Sequence, residues 1–293
     1  MATLRELKTR IGSVASSEKI TGAMKMISSA KMHKAEQALR RLAPFRSQVE
    51  TVIGNLLSAD AEFSSPLLEQ REVRTVAIVV FGSDDGLCGA YNVNIFKQLL
   101  SRLNSLRNQF GESVRFVIFP IGKKMLKAVR AVADSSISVR TMEGVDSKTS
   151  GEGVRLFVDT LRQNFEAGEF DRVDCLYMNF KSVSRQIPRA EQLLPVVHDT
   201  FTSNGVSENC RPYIFEPSPQ AIFSSVLPMF LLAVMHDIFT ENRASEQAAR
   251  VMAMQSANDN AKKLLDSLSL EYNKLRQQSI TTELLDILGG QVR

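Results

Sequence analysis

The sequence predicts an α/β protein in which long N- and C-terminal helices form an antiparallel coiled coil beside a Rossmann-like α/β central domain. Two observations at the ends and one in the middle support this class. Residues 1–43 contain no proline, residues 229–288 contain neither proline nor glycine, and the middle alternates β-branched runs with helical periodicity. The predicted regions are an N-terminal helix 1–58, a central domain 73–200 and a C-terminal helix 210–293.

The C-terminal run is too long to be a helix inside a compact domain. At about 1.5 Å per residue, residues 229–288 would span roughly 90 Å. A compact chain of this length has a radius of gyration of about 19 Å. Such a helix must pack along another helix or along a partner, so the sequence favours a shaft over an enclosed pocket.

Apolar residues in the N-terminal helix recur in steps of three and four, which places them on one narrow stripe that a partner helix can bury. The stripe is interrupted around Glu18, and Arg46 occupies one of its positions. Pro44 predicts a bend or break. The predicted stripe consists of Leu4, Leu7, Ile11, Val14, Ala35, Leu39, Leu42, Val49, Ile53 and Leu56.

The C-terminal helix carries a matching stripe, and small residues between 244 and 261 allow a second helix to approach closely. Gly289 and Gly290 predict its end. The simplest pairing is an intramolecular antiparallel coiled coil, for which the middle of the chain must bring the two ends together. The predicted stripe consists of Ala257, Ala261, Leu264, Leu268 and Leu275, followed by Ile280, Leu284 and Ile287.

The middle of the chain favours a mostly parallel sheet with right-handed crossovers, because predicted strands alternate with predicted helices. Polar residues 134–152 predict a loop. Pro188 and Pro195 keep residues 182–197 out of a central strand, so this segment is either a final hairpin or an irregular edge. The predicted strands are 76–81, 114–119 and 173–180, and the predicted helices are 91–110, 123–133 and 154–165.

Composition is that of a soluble folded protein, with 44% hydrophobic and 23% charged residues. The longest apolar stretch, 226–234, is shorter than the roughly 20 residues of a membrane span. Cys88, Cys175 and Cys210 are widely spaced, which indicates free thiols in a reducing compartment. The N-terminus has no apolar core typical of a secretory signal, and the helical pattern leaves no room for a transit peptide.

Charge is uneven along the chain. Residues 1–50 carry ten Lys or Arg and four Glu, a net of +6, whereas the whole chain is only +4. The excess is either a solvated helix face or an attraction to an acidic partner surface. Nucleic-acid binding is disfavoured, because the basic residues are not interleaved with aromatic ones and no reader motif follows them.

Residues 81–92, FGSDDGLCGAYN, form the segment that most invites a nucleotide-binding interpretation. A P-loop requires a Lys after its last glycine, and that Lys is absent, as is the dinucleotide-binding spacing. Asp84 and Asp85 would repel a phosphate. The glycines are therefore better explained by a tight turn and close packing of a helix on the sheet.

Other reactive side chains form no catalytic grouping. Cys88 has no second cysteine and no histidine nearby, which favours a small buried residue. His33, His198 and His236 lie far apart in the sequence. Methionines within residues 24–32 form a patch typical of core packing or of a surface that re-packs against a partner.

Four stretches together resemble the gamma subunit of F-type ATP synthases, and they span both ends and the centre of the chain in the family's order. One stretch is the first helix, one is the turn after the first central strand, and two belong to the last helix. They are LRELKTRIGSVASSEKITGAMKMISSAKMHKAE, SDDGLCGAYN, EPSPQAIFSSVLP and SEQAARVMAMQSANDNAKKLLDSLSLEYNKLRQQSITTELLDILGG.

The resemblance implies a rotor without a catalytic, metal or cofactor site. In that family the paired helices enter a hexamer of alternating α and β subunits, and the α/β domain lies on the membrane ring of c subunits and the ε subunit. Proton flow turns the ring, and the asymmetric shaft drives the catalytic sites through successive states. The resemblance also implies no direct nucleotide or nucleic-acid binding, and a peripheral location on the cytoplasmic face of the bacterial inner membrane.

The resemblance further implies two groups of residues that contact the catalytic subunits. One group lies on the first helix, where the family faces an acidic loop. The other is a polar pair near the top of the shaft with a residue one turn further on. The implied contact residues are Met24, Lys19 and Lys25 in the first group, and Arg276, Gln277 and Thr281 in the second.

The chain departs from the family pattern at two positions. Asp85 stands where the family usually has Arg, so an ion pair made by that Arg is absent or inverted. Gly22 stands where Lys is common, which removes a charge and weakens the helix by about 1 kcal/mol relative to Ala. The middle domain has no inserted pair of regulatory cysteines, which points to a bacterial form rather than a thiol-switched plastid form.

Two alternative functions come from other classes. One is a free-standing coiled-coil scaffold with an α/β head, and the other is a nucleotide-binding enzyme that uses the turn at residues 82–89. Recovery of the chain without ATPase subunits would favour the scaffold. Saturable nucleotide binding by the isolated chain would favour the enzyme.

Overall fold

The fold was examined in a computed structural model that describes residues 3–57, 65–197 and 215–290. His198, Cys210 and Pro212 lie outside the described residues. The elements in chain order are α1 (Leu4–Leu57), a 3-10 turn (Pro66–Leu68), β1 (Thr75–Phe81), α2 (Tyr91–Phe110), β2 (Arg115–Ile121), α3 (Lys123–Arg130), β3 (Ile137–Val139), α4 (Glu152–Glu166), β4 (Arg172–Ser182), β5 (Arg185–Leu194) and α5 (Pro219–Gly290).

Helices α1 and α5 dominate the molecule. They contain 54 and 72 residues, which corresponds to about 80 Å and about 108 Å. Of the two alternatives predicted at Pro44, a bend or a break, the break is wrong, because α1 continues through Pro44. A proline removes one internal hydrogen bond, and here the stripe residues on both sides of Pro44 keep the helix packed on α5. Helix α5 begins at Pro219, where the Ser218 hydroxyl accepts a hydrogen bond from the Ala221 amide at 3.2 Å.

The sheet has the strand order β3-β2-β1-β4-β5. The first four strands in this order are parallel, and β5 pairs antiparallel with β4 at the edge. The predicted final hairpin is therefore the correct alternative. Pro188 lies opposite Met178 on this edge strand, where a missing N–H is tolerated.

Strand β3 lies within the predicted 134–152 loop and was missed. Its three residues are too few to show a periodicity of two. The Asp134 side chain organises its entry, because one carboxylate oxygen accepts hydrogen bonds from the Ser136 amide, the Ser136 hydroxyl and the Ile137 amide.

Both faces of the sheet are covered. Helices α2 and α3 pack on one face, whereas α4, α5 and the end of α1 pack on the other. Phe239 of α5 meets Phe81 of β1 edge to face at 4.8 Å between ring centroids. The sheet therefore holds the lower part of the shaft by burying the face of α5 itself.

Helices α1 and α5 pair antiparallel over most of the length of α1. Asn258 contacts Glu18, and Asp237 contacts Arg46, so contacts move down α5 as they move up α1. The packing of the α1 stripe on α5 is continuous. The interruption at Glu18 affects only the apolar pattern, because polar residues occupy the stripe positions there. The α1 stripe continues through half-buried or buried Glu18, Thr21, Lys25, Ser28 and Met32.

The stripe on α5 differs in detail from the prediction. Leu264 is 43% exposed, whereas its neighbour Leu265 is half-buried. A shift of one residue in the helical repeat decides which of these two leucines faces α1. The packing of α5 on its partner helix fixes that shift. The observed stripe consists of Val251, Met254, Asn258, Ala261, Leu265, Leu268, Tyr272 and Leu275.

The last part of α5 extends beyond α1. Asn258 lies beside Glu18. In an antiparallel pair, each residue toward the start of α1 corresponds to one residue toward the end of α5, so Leu4 lies beside about residue 272. Leu275 is the last half-buried residue of the stripe, and residues 276–288, here called the overhang, continue about 20 Å past it. Ile280, Leu284 and Ile287 were predicted to form a packed stripe, but their exposed fractions are 48%, 55% and 63%.

Helix α5 also contains an apolar segment long enough to cross a membrane by length and composition. An 18-residue window has a mean hydropathy of 1.8, and half of it is buried inside the protein. The uninterrupted apolar run at 226–234 is shorter than a membrane span, as the sequence predicts, but it lies within this longer window of high mean hydropathy. Burial against the sheet gives the local explanation, because a core helix satisfies the same criterion.

Candidate functional surface

The overhang presents polar and apolar side chains together, and no helix of the described residues lies beside it. Arg276, Gln277 and Thr281 are all exposed. The Thr281 hydroxyl donates to the Gln277 carbonyl at 2.9 Å, so this hydroxyl is held along the helix. The surrounding exposed apolar residues are Ile280, Leu284, Leu285, Ile287 and Leu288. An exposed apolar surface of this kind is typical of a contact site.

The predicted first-helix group lies lower on the shaft. Lys19 is exposed, whereas Met24 and Lys25 are half-buried. Met26 and Ile27 next to them are 69% and 56% exposed. The helix here therefore offers an apolar surface bordered by lysines.

The structure does not bring the two predicted groups together. Met24 lies beside about residue 252 of α5, and Arg276 follows about 24 residues later, which is about 36 Å along the shaft. They are two separate contact regions on one rod rather than parts of one site.

A polar contact crosses the coiled coil between these regions. The Asn258 side-chain amide donates to the Glu18 carbonyl at 2.8 Å. Gly22 lies against it, and a Cβ at that position would stand 3.4 Å from the Asn258 nitrogen. A Cβ at position 22 would thus lie at van der Waals contact distance from Asn258, which shows how closely the helices pack here.

A large open groove lies between α1, the turn at residues 82–90 and α5. Its volume is about 900 Å³. Lys31, Lys34 and Arg41 line it from α1, and Lys148 and Arg243 from the opposite side. Burial lowers the pKa of Arg243, and its Nε atom has no hydrogen-bond partner in the described part of the chain. The groove is cationic and continues the surface around Met24.

A buried ionic cluster joins both shaft helices to the sheet edge. The Arg46 guanidinium donates to Glu50 at 2.8 Å, to Asp237 at 2.9 Å and to Glu191 at 3.0 Å. Burial alone would lower the pKa of Arg46, but the three carboxylates outweigh it and raise this pKa. The Tyr177 hydroxyl completes the cluster by donating to Glu191 at 2.9 Å. In the sequence Arg46 falls on the stripe, but only the fold brings Asp237 and Glu191 to it.

Glu241 lies next to this cluster on α5. It accepts a hydrogen bond from the Asn179 side chain at 2.6 Å. Burial raises the pKa of Glu241 to about 7, against the smaller opposing effect of this hydrogen bond. A carboxyl group that titrates near neutral pH thus lies where α5 meets β4.

The glycine turn packs on α5. The Arg250 Nε atom donates to the Gly86 carbonyl at 3.1 Å, and the Asn242 side chain donates to the Gly82 carbonyl at 3.4 Å. In an open α/β sheet a ligand binds where the strand order reverses, which here is between β1 and β4. Helix α5 occupies that position, since Ser245 donates to Met178 of β4 at 2.9 Å.

Asp84 and Asp85 have different roles. Asp84 accepts hydrogen bonds from the Lys123 amide and from the amide and hydroxyl of Ser147. Burial opposes ionisation, but these hydrogen bonds outweigh it and lower the pKa of Asp84. The side chain of Asp85, the departure from the family pattern, forms an exposed ion pair with Lys148 at 3.4 Å.

The remaining candidates behave as packing residues. Cys88 is 3% exposed, as expected for a small buried residue, and Cys175 is fully buried. Within residues 3–57, 65–197 and 215–290, no cluster of His, Cys, Asp or Glu could hold a metal ion. Met32 is 2% exposed, so the methionine patch is divided between core packing and exposed surface.

The fold and these surfaces define a class of protein: a shaft with an α/β base that acts through contacts along its length. The family model described as ATP synthase matches residues 3–292, and curated gamma chains match over full length. The chain belongs to the ATP synthase family, in which it is a gamma chain. As such it is the non-catalytic rotor subunit of the central stalk, which couples ion flow through the membrane ring to the conformational cycle of the catalytic subunits.

Two relatives illustrate the match. The ATP synthase gamma chain of Bacteroides thetaiotaomicron is 39% identical, with 100% of both chains covered. The gamma chain of Desulforamulus reducens is 36% identical, with 99% of this chain and 98% of the relative covered.

Solved structures show the same fold. A chain of the Euglena gracilis mitochondrial ATP synthase, described as OSCP/F1/c-ring, has a TM-score of 0.64 at 20% identity, covering 98% of this chain and 93% of that chain. A chain of the Tetrahymena thermophila central stalk and c-ring has a TM-score of 0.57 at 21% identity, covering 81% and 99%.

Proposed function

We propose that the overhang is the upper contact surface through which this rotor meets the α and β subunits of the catalytic hexamer. The observation that carries this proposal is the unpaired end of α5, which exposes Arg276, Gln277 and Thr281 beside five apolar side chains. The apolar side chains suit a contact in which the shaft can rotate, because apolar contacts have little directional preference. The polar ones supply hydrogen bonds whose partners change with orientation.

The second contact surface surrounds Met24, with Lys19 and Lys25 as its basic border. A net charge of +6 over residues 1–50 and the cationic groove beside this surface support an acidic loop of a catalytic subunit as its partner. Contacts that differ between orientations favour different catalytic states, which is how a shaft transmits energy without catalysing a reaction itself.

The opposite end of the molecule is the proposed base. The α/β domain lies at the far end of the shaft from the overhang, which supports it as the part that meets the membrane ring of c subunits and the ε subunit. We assign the chain to the cytoplasmic face of the bacterial inner membrane as a peripheral subunit. Two buried free thiols, Cys88 and Cys175, are consistent with a reducing compartment.

The division into helix 1–58, α/β domain 73–200 and helix 210–293 belongs to the same proposal. So does the absence of direct nucleotide and nucleic-acid binding. Helix α5 occupies the crevice that a nucleotide would use, and Asp84 is already engaged by Ser147 and Lys123. This leaves the glycine turn a packing role.

The main test uses the complex purified through a tag on this chain. We expect three α and three β subunits per chain, together with ε and the c-ring. Recovery of the chain without ATPase subunits would instead support the scaffold alternative. Nucleotide titration of the isolated chain addresses the enzyme alternative, and saturable binding would contradict the proposal.

The contact residues are tested with the double variant Arg276→Ala and Gln277→Ala. ATP synthesis by the assembled complex should fall several-fold, while subunit stoichiometry and the folding of the chain stay unchanged. A matched control replaces Asn94 and Lys97 with Ala, because both are exposed on α2 away from the shaft. Normal synthesis in the first variant would exclude these contacts.

A further inference from the structure

The glycine turn at residues 82–90 binds the shaft through directional hydrogen bonds to its own main chain. Arg250 of α5 donates through Nε to the Gly86 carbonyl at 3.1 Å and through Nη2 to the Asp85 carbonyl at 3.4 Å. The same Nη2 lies 2.6 Å from Glu246, and both charged residues are buried. The guanidinium is therefore fixed on α5 while it holds the turn.

A second attachment lies two helical turns below Arg250. The Tyr91 hydroxyl at the start of α2 donates to Asn242 Oδ1 at 2.6 Å and approaches the Asn242 carbonyl at 3.2 Å. Asn242 in turn donates to the Gly82 carbonyl. Tyr91 and Asn242 are 3% and 1% exposed, so water does not compete for these bonds.

The two attachments hold the turn near both of its ends. Gly82 follows β1 directly and Tyr91 begins α2, so the turn is anchored in the sheet at one end and in a helix at the other. On α5, residues 242 and 250 are eight apart and therefore lie close to one face. Between them, Ser245 donates to Met178 of β4.

This arrangement differs from the apolar part of the attachment between α5 and the domain. Lower on α5, apolar side chains such as Phe239 pack on the sheet, and apolar contacts are non-directional. Hydrogen bonds depend on angle and distance, so the bonds of Asn242 and Arg250 resist both rotation and sliding of α5. Gly89 also lies close to the shaft, since a Cβ there would stand 3.6 Å from the Ala253 Cβ.

We propose that Arg250, Asn242 and Tyr91, together with the carbonyls of Gly82 and Gly86, form a turn clamp that passes torque between the α/β domain and the shaft. These are positioning residues for rotary coupling. The clamp rests on the rotor function and adds to it the place where the base holds the shaft. It also gives the SDDGLCGAYN segment a mechanical role.

The test is made in the assembled, membrane-reconstituted complex with the double variant Arg250→Lys and Tyr91→Phe. Lysine keeps the charge next to Glu246 but lacks the fork that reaches two carbonyls. Phenylalanine keeps the ring and removes the hydroxyl. The measured quantity is the number of ions pumped per ATP hydrolysed. It should fall at least threefold in this variant.

A disulfide that links the turn to α5 distinguishes torque transmission from a merely structural role of these residues. Gly89→Cys and Ala253→Cys are added to the double variant with Cys88→Ser, because a Cβ–Cβ separation of 3.6 Å lies in the range for a disulfide. Under oxidation, pumping per ATP should return to at least two thirds of the parent value, and dithiothreitol should abolish the recovery.

The matched control is Arg102→Lys, which alters another arginine contact, the one that half-buried Arg102 makes with fully buried Asp174 on the opposite side of the sheet. It should leave the pumping ratio unchanged. An unchanged ratio in the Arg250 and Tyr91 variant overturns the clamp, as does a loss that the disulfide does not restore. Failure of the parent chain to assemble or pump would contradict the proposed function instead, so the two failures are distinguishable.

Discussion

Asn258 and Glu18, 240 residues apart in sequence, meet across the coiled coil through a hydrogen bond of 2.8 Å from the side-chain amide to the main-chain carbonyl. This polar contact replaces an apolar one in the middle of the shaft. A single buried Asn in a helical seam can specify register. The bond therefore aligns α1 with α5 and thereby sets the length of the overhang.

Replacing Gly22 with Ala tests how tightly the helices pack at this contact. Alanine favours a helix by about 1 kcal/mol over glycine, but its Cβ would lie 3.4 Å from the Asn258 nitrogen. We expect the gain in unfolding free energy to be smaller in the parent chain than in an Asn258→Ala background. Urea unfolding of the four chains of this double-mutant cycle gives the difference, and equal gains in both backgrounds would show that Asn258 does not restrict position 22.

Removing the cation of the buried cluster should be severely destabilising. Arg46→Met leaves three carboxylates, Glu50, Glu191 and Asp237, without their shared partner. Loss of one partner from a buried pair costs about 3–5 kcal/mol. Arg40→Met is the matched control, because its pair with Glu36 is on the surface and such pairs contribute at most about 1 kcal/mol. Similar losses in both variants, measured by thermal unfolding, would contradict this account.

Glu241 should make stability depend on pH near neutrality. Its folded-state pKa is about 7, against an ordinary value of 4.5, so the folded chain binds more protons than the unfolded chain between these values. Stability therefore falls as pH rises through this window. Glu241→Gln, which keeps an acceptor for Asn179, should be more stable than the parent chain at pH 8 by on the order of 1 kcal/mol.

The pH dependence of this difference is the diagnostic feature. It should disappear at about pH 4, where Glu241 is protonated in both states. Melting temperatures of the two chains across pH 4–8 provide the measurement. A difference that stays constant over this range would mean that packing rather than ionisation distinguishes the variants.

Gly122 should be the least replaceable of the described glycines near the sheet. Its φ is +98°, and a Cβ would meet the carbonyl group of Ser83 at 2.9 Å. Gly122→Ala should cost about 2 kcal/mol or more, since backbone strain and a clash add. Gly144→Ala is the control with a φ of +77° and open space around it, so it reports strain alone. Chemical denaturation should separate the two variants by at least ~1 kcal/mol.

The elements with strong periodicity were predictable, and the short or context-dependent ones were not. Helix α2 was predicted at 91–110 and is observed at Tyr91–Phe110, because its apolar residues repeat regularly over five turns. Strand β3 was missed because three residues carry too little pattern. Pro44 was expected to bend or break α1; it does not break it, because tertiary packing outweighs the loss of one hydrogen bond.

The candidate surfaces show the same limit. Exposure of Arg276 and Gln277 follows from their polarity, and their contact with catalytic subunits stays a prediction. The roles of Arg46, Asn242 and Arg250 were not predictable, because their long-range partners lie 145 and 191 residues away in the case of Arg46 and 151 to 165 residues away in the case of the other two. The sequence marked only Arg46, as a polar residue at a stripe position.

By itself, the sequence determined two long helices, an α/β domain between them and membership of a rotor family, because periodicity, breakers and motifs are local properties. Only the tertiary structure decided which leucine faces α1, how far α5 extends beyond it, and that the glycine turn holds the shaft. These depend on the register between segments far apart in the chain, which is set by the summed packing and hydrogen bonding of both partners.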